Sequence, residues 1–413
     1  MSWKEIKLLI DQHVDQTMDK VIAWRRDLHE HPELSNQEYR TAALVAEHLE
    51  NLGMEVQTNV AKTGVVGLLI GALPGSVVAL RADMDALPVT EACDLPFTSK
   101  VKAMYNGDEV GVMHACGHDV HTANLMGVAE VLSKMKDQLP GTVKFIFQPA
   151  EEGAEGVETW GAKQMVEEGV LHNPDVDAIF GLHVWPFETG TITLRSGALM
   201  ASVDTFTIVV HGKGTHGALP WLGVDPIVTG AQIVNALQTI VSRNVALNEG
   251  GAVITVGSFH GGTRENIISE RVEMMGTIRS HNEKARAIIH KRLPELVKNI
   301  AMANDAWAEV TIDTLYPSTV NHVDLTSEML PVLKEAAHRV DDMFPMMPAE
   351  DFSYYQQKIP GMYFFLGITP KDTPPDQIEP NHSPRFMVDE AAIPSGMKAL
   401  CYLTMKYLSD HKK

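Results

Sequence analysis

The segment Val143-Lys144-Phe145-Ile146-Phe147-Gln148-Pro149-Ala150-Glu151-Glu152-Gly153 reads as a buried strand that stops at a proline and releases two carboxylates. An earlier run, Val77-Val78-Ala79-Leu80, has the same character and leads into Arg81-Ala82-Asp83-Met84-Asp85. Between the two, Thr122 to Met135 reads as a helix. Strand, helix, strand in that order is the unit of a parallel α/β sheet. The alternation continues with a helix over Ala162 to Glu168 and a strand at Ala178-Ile179-Phe180-Gly181-Leu182. Met362 to Ile368 supplies a late buried strand. Ahead of all this, Ile6, Leu9, Ile10, Val14, Met18 and Ile22 recur at helical spacing, Pro32 interrupts, and a second helix is expected through Thr41 to Leu52.

Near residue 196 the pattern changes. Val203 to Val210 alternates polar and apolar positions, as a half-exposed strand does. A helix (Asp225 to Val241), two strands (Ala252 to Phe259, Arg271 to Ile278), a helix (Asn282 to Met302) and a strand (Ala308 to Thr314) follow. This β-α-β-β-α-β order is that of a ferredoxin-like unit. The expected organisation is therefore a mostly parallel α/β domain formed by residues 1–196 and 315–413, carrying an α+β insertion over 197–314.

A chain of 413 residues is long for one core, which agrees with two domains. The formal net charge of −19 speaks against nucleic acid as a partner, because phosphate binding calls for an excess of Lys and Arg. Cys93, Cys116 and Cys401 are an odd, scattered set rather than a disulfide framework, so a reducing, cytoplasmic setting is expected. The amino terminus reaches charge at once, without a signal-type apolar run. The most apolar stretch, Val65 to Leu73, is too short to span a bilayer.

Chemistry-bearing residues gather where strands end, the usual place for function in open α/β sheets. Asp83 and Asp85 follow one strand, Glu151 and Glu152 another, and His183 a third. Asn381-His382-Ser383-Pro384 lies after the late strand. Met113-His114-Ala115-Cys116-Gly117-His118-Asp119-Val120-His121-Thr122 adds a thiolate and an imidazole two residues apart, just before a helix whose dipole favours a thiolate. Such ligands suit zinc, with manganese, cobalt or nickel as alternatives. Of the acidic pair, one carboxylate can bind metal while the other takes a proton from an activated water. Cys93 and Cys401 read as core residues, His114 and His121 as structural. Asp83 and Asp85 are expected to orient ligand imidazoles.

The stretches RRDLHEHPELS (25–35), RADMDALPV (81–89), MHACGHDVHTA (113–123), QPAEEG (148–153), GLHVWP (181–186), EDFSYY (350–355) and NHSPRF (381–386) closely resemble the M20 family of metallopeptidases. The likeness is to its amidohydrolase branch of aminoacylases, hippurate hydrolases and indoleacetyl-amino-acid hydrolases. It implies two divalent metals held by Cys116, His118, Glu152, His183 and His382, with Cys116 where relatives outside the branch carry a bridging aspartate. It further implies Glu151 as general base and Asp85 as a support behind the metal ligands. The insertion would be a lid that also makes a homodimer. In it His216 would stabilise the oxyanion, in its own or the partner's site, while Asn266 and Arg279 would meet the substrate carboxylate. Thr215, Gly217, Trp221 and Ser269 depart from the branch's usual residues, all within the insertion, where they bear on substrate preference.

The resemblance thus implies hydrolysis of N-acyl amino acids to a carboxylate and a free amino acid. A carboxypeptidase using the same residues is the nearest rival. A cysteine hydrolase with Cys116 as nucleophile and His118 as base, and a non-catalytic binding protein, are the others. Chelation separates the cysteine hydrolase from the rest.

Overall fold

The computed structural model describes residues 1–154 and 156–411, and its contacts divide the chain into two compact units. The first comprises Met1–Gly197, Asn321–Met343 and Tyr354–Lys413. Its centre is an eight-stranded sheet in the order Glu55–Val60, Gly64–Ile70, Pro140–Gln148, Leu73–Asp83, Ala178–Glu188, Gly361–Thr369, Ile192–Leu194, Val340–Asp342. The four middle strands run parallel, and antiparallel neighbours flank them on both sides. The middle strands are buried along nearly their whole length, which is why they read as continuous apolar runs rather than alternating ones. The strand at 178–182 extends further than its apolar run suggested. Parallel pairing with Gly361–Thr369 carries it past His183 to Glu188.

The helix His118–Lys134 is buried through almost its full length, packed between Trp3–Glu30, Ile393–Asp410 and the sheet. Apolar or small residues occupy most of its faces, and its buried His118, Asp119 and His121 are hydrogen-bonded to Asp85, His29 and Asp83. The helix begins four residues earlier than the apolar pattern predicts, with Gly117 as its N-cap at φ +90°. A side chain there would be strained, and its Cβ would lie 2.2 Å from Val184 Cγ2. Glycine is what lets Cys116 and His118 approach the strand that carries His183.

The second unit comprises Ala198–Val320 and Phe344–Ser353. Its antiparallel sheet has the order Ala252–Gly261, Arg271–Ser280, Ser202–His211, Trp307–Thr314, packed with the helices Pro226–Asn244 and Glu283–Ala303. The core is Phe206, Ile208, Ile233, Leu237, Ile289 and their neighbours. The unit takes in two segments that the sequence pattern places with 315–413, residues 315–320 and Phe344–Ser353. Phe344–Ser353 returns to it because Ala201 N–H donates to the carbonyls of Met346 and Pro348, and Met346 N–H to that of Leu199. Among the described residues no helix is long and apolar enough to cross a membrane.

Candidate metal centre

Four segments of the first unit bring six side chains together. Cys116 and His118 flank the start of a buried helix, Glu151 and Glu152 follow the strand Pro140–Gln148, and His183 lies within Ala178–Glu188. His382 arrives from the loop after Gly361–Thr369, with its N–H donating to Ala115 O at 2.7 Å. Cys116 Sγ lies 3.5 Å from His183 Nε2 and 3.3 Å from His382 Nε2. Glu152 Oε1 is 3.2 Å from His382 Nε2 and 3.9 Å from His118 Nε2. Two ligands at about 2.0–2.3 Å from one tetrahedral ion stand roughly 3.3–3.8 Å apart, so these spacings suit shared coordination. Donor atoms cluster as Cys116, His118 and His183, as Cys116, Glu152 and His382, and as His118, Glu151 and Glu152. Cys116 belongs to two of these groups.

The hydrogen bonds around the imidazoles decide which nitrogens face the centre. Asp85 Oδ1 accepts from His118 Nδ1 at 3.2 Å, leaving Nε2 buried without a hydrogen bond. His183 Nδ1 donates to the carbonyl of Val184 at 2.6 Å, so its Nε2 faces Cys116. Second contacts of this kind fix tautomer and ring plane. His121 is engaged on both sides. Its Nδ1 donates to Asp83 Oδ1 at 2.6 Å, and its Nε2 accepts Val184 N–H at 2.8 Å. Asp83 therefore orients His121, a strut for the strand, while Asp85 orients His118. His114 is buried, with neither ring nitrogen hydrogen-bonded to protein. Burial pushes it down to about 4, so it is neutral.

The electrostatics ask for a cation. Burial opposes charge on His118, yet Asp83, Asp85 and Glu152 outweigh it and push the imidazole up to about 10. The Cys116 thiol behaves opposite to the helix-dipole expectation. Burial, then the charges of Glu152, Glu151 and Asp83, raise it well above the usual thiol range. The amide dipoles lose to burial and to three nearby carboxylates, and a bound cation is what would restore the thiolate. His183 is held low by burial and by His121, which keeps it neutral and able to ligate.

Glu38 carried no sequence signal. It is fully buried, and one oxygen accepts the backbone N–H of Asn36 and of Ala150, each at 2.9 Å. The other accepts from Thr63 Oγ1 at 2.5 Å. Ala150 sits at φ +53°, a conformation alanine adopts at a cost. Two residues on, Glu152 N–H donates to Asp85 Oδ2 at 2.9 Å, and Ser35 Oγ donates to the same oxygen at 2.7 Å. Buried carboxylates thus hold the backbone on each side of Glu151. Burial, then the charge of Asp85, pushes Glu38 up to about 7. Glu38→Gln keeps one acceptor oxygen for both amides, whereas Glu38→Ala leaves them unpaired. Turnover in the alanine variant is expected to fall by about 10–100-fold, with metal content retained, and the glutamine variant should recover most of it. Equal losses in both variants would show that the clamp does not position Glu151.

In the second unit, His216 and Asn266 come together. Thr215–His216 pairs with Ile267–Ile268, and Gly217 N–H donates to Asn266 O at 2.8 Å. Arg279 lies apart on Arg271–Ser280, facing Val203 and Val253 across the ladder and reaching Met347 O at 3.5 Å.

Residues 79–406 match the family model described as Peptidase family M20/M25/M40. The chain belongs to that family. Thermostable carboxypeptidase 2 of Saccharolobus solfataricus is 44% identical over 398 residues, covering 95% of this M20 chain and 97% of its relative. N-acetyl-L-cysteine deacetylase of Bacillus subtilis is 39% identical over 383 residues, covering 91% and 86%. Among solved structures, a Bacillus subtilis dinuclear metal-binding peptidase of the M20 family superposes with TM-score 0.79 at 36% identity, covering 96% of this chain and 99% of that one.

Proposed function

We propose that this M20 chain hydrolyses the amide bond of N-acyl amino acids, using two divalent cations held by Cys116, His118, Glu152, His183 and His382. The observation that carries the proposal is a thiol common to two ligand groups, with a further carboxylate, Glu151, beside Glu152. The mixed S, N and O donor set suits zinc, manganese, cobalt or nickel. When bound, such cations supply Lewis acidity and acidify water enough for it to attack an amide near neutral pH. Glu151 takes the water's proton on its carboxylate and returns it to the leaving nitrogen. Asp85 holds the His118 tautomer that this work needs. His216 is assigned to oxyanion stabilisation and Asn266 and Arg279 to the substrate carboxylate, with the second unit as lid. The deacetylase of Bacillus subtilis and an N-acyl-L-amino acid amidohydrolase of Geobacillus stearothermophilus, 43% identical over 323 residues, support the substrate class.

A carboxypeptidase is the second reading, favoured by the 44% identity to the Saccharolobus enzyme. Both readings place a free carboxylate beyond the scissile amide. Three unpaired cysteines support a reducing, cytoplasmic setting, and exposed Trp221, Leu222 and Val228 in the second unit support a homodimer.

Metal-stripped protein is expected to be inactive on acetyl, benzoyl and indoleacetyl amino acids and to regain activity with added manganese, zinc, cobalt or nickel. Dipeptides assayed in parallel decide between the two readings. Activity that survives stripping would overturn both, and inactivation only by thiol alkylation would favour Cys116 as nucleophile.

A further inference from the structure

His382 is the most exposed of the proposed ligands, with 55% of its side chain open to solvent against 13% for Glu152. Its backbone lies at φ +72°, a left-handed conformation that histidine adopts at a cost. A residue so placed keeps one position only when its surroundings impose it. Part of that hold is the bond from His382 N–H to Ala115 O. The preceding residue supplies more. Asn381 Nδ2 lies 3.2 Å from Cys116 O, 3.4 Å from Val184 O and 3.8 Å from Cys116 Sγ. The two carbonyls can only accept, which turns the amide nitrogen toward them. The Val184 carbonyl is also the one that receives His183 Nδ1 at 2.6 Å. One amide thus bonds to the segments of Cys116 and His183 and is covalently joined to His382.

We propose that Asn381 is a positioning residue, which ties Cys116 and His382 into one ligand geometry and gives the thiolate an N–H donor. The inference rests on the ligand set proposed above and adds to it a residue that controls how the thiolate and His382 bind metal. Asn381 Nδ2 carries two hydrogens for three acceptors, two of which belong to Cys116. Bonds to a charged acceptor are the stronger ones, so an anionic sulfur draws the hydrogen that Cys116 O otherwise holds. The other nitrogens near Sγ are His183 Nε2 and His382 Nε2, both assigned to the cations. Among the described residues, the amide is therefore the donor left for the thiolate. Hydrogen bonds to a ligand sulfur tune its donation to a metal, and such outer partners fix ligand geometry.

The test loads metal-free wild type, Asn381→Leu and Asn381→Ala with cobalt, whose bond to a thiolate gives a charge-transfer band in the near ultraviolet. Both variants should bind cobalt about 10–100-fold more weakly. At saturating cobalt their band should lie at lower energy, because sulfur without an N–H donor gives up electrons more readily. Leucine nearly fills the space of asparagine, so agreement between the variants attributes the effect to lost hydrogen bonds rather than lost packing. Wild-type affinity and band position in Asn381→Leu would overturn the assignment. So would a large fall in the thermal midpoint of both metal-free variants with the band unmoved, which would make Asn381 a support of the fold. The readouts follow metal and not substrate, so they hold whether acyl amino acids or dipeptides are cleaved. A wild type without the band would instead remove Cys116 from the ligand set, and this inference with it.

Discussion

Glu151→Gln is expected to lower kcat by about 10²–10⁴-fold, the usual worth of a positioned general base, while bound metal and KM stay near their wild-type values. The side chain is buried in the turn that follows the strand Pro140–Gln148, and glutamine preserves its volume and one acceptor oxygen. What glutamine cannot do is take a proton. The neighbouring substitution Glu152→Gln should look different, because that carboxylate lies against His382 and His118 among the proposed ligands. Its loss should show as reduced metal content before any kinetic constant is measured. Metal analysis with steady-state kinetics on both variants separates the two roles. If Glu151→Gln retained substantial turnover, Glu151 would lose its place as base, whatever the metal content.

Cys116→Ala should cost the protein more of its metal than His183→Ala does. Removing a donor common to two ligand groups weakens both positions, whereas His183→Ala touches only one. Dialysed Cys116→Ala protein is expected to hold little metal and to lose at least about 10²-fold in activity. His183→Ala should keep part of its metal. Cys116→Asp restores an anionic donor at the same position and should recover more metal than alanine does. Elemental analysis of the three dialysed proteins is the measurement. Wild-type stoichiometry in Cys116→Ala would remove the thiol from the ligand set and would also undercut the shared-ligand geometry.

How much of this the sequence exposes depends on the kind of residue. Cys116, His118, Glu151, Glu152, His183 and His382 are chemically conspicuous and stand at the ends of buried runs, so pattern and chemistry point the same way. The parallel strands were legible because burial on both faces makes them continuously apolar. Glu38 was not, since a single glutamate at a helix start resembles any solvated one. Its role exists only through contacts with Asn36, Thr63 and Ala150, distant in the chain or unremarkable in type. The hairpin Lys102–Tyr105/Asp108–Gly111 is four residues a strand and carries too little periodicity to register. The return of Phe344–Ser353 to the second unit shows no change in composition and is written in backbone hydrogen bonds. The thiol's behaviour reverses a local rule because burial, and then three carboxylates from two other segments, outweigh one helix terminus.

The strand Gly361–Thr369 enters the sheet between Ala178–Glu188 and Ile192–Leu194, two segments made far earlier in synthesis. A nascent chain therefore holds a gap in the middle of its sheet until the last tenth or so of the protein leaves the ribosome. His382 follows that strand, so the final imidazole leaves the ribosome only after the strand that fills the gap. Chain growth itself thus delays competence. A truncated or stalled product would carry Cys116, His118 and both glutamates yet lack the histidine that lies against Cys116 and Glu152. The order of the polypeptide makes hydrolytic capacity the last property this protein acquires.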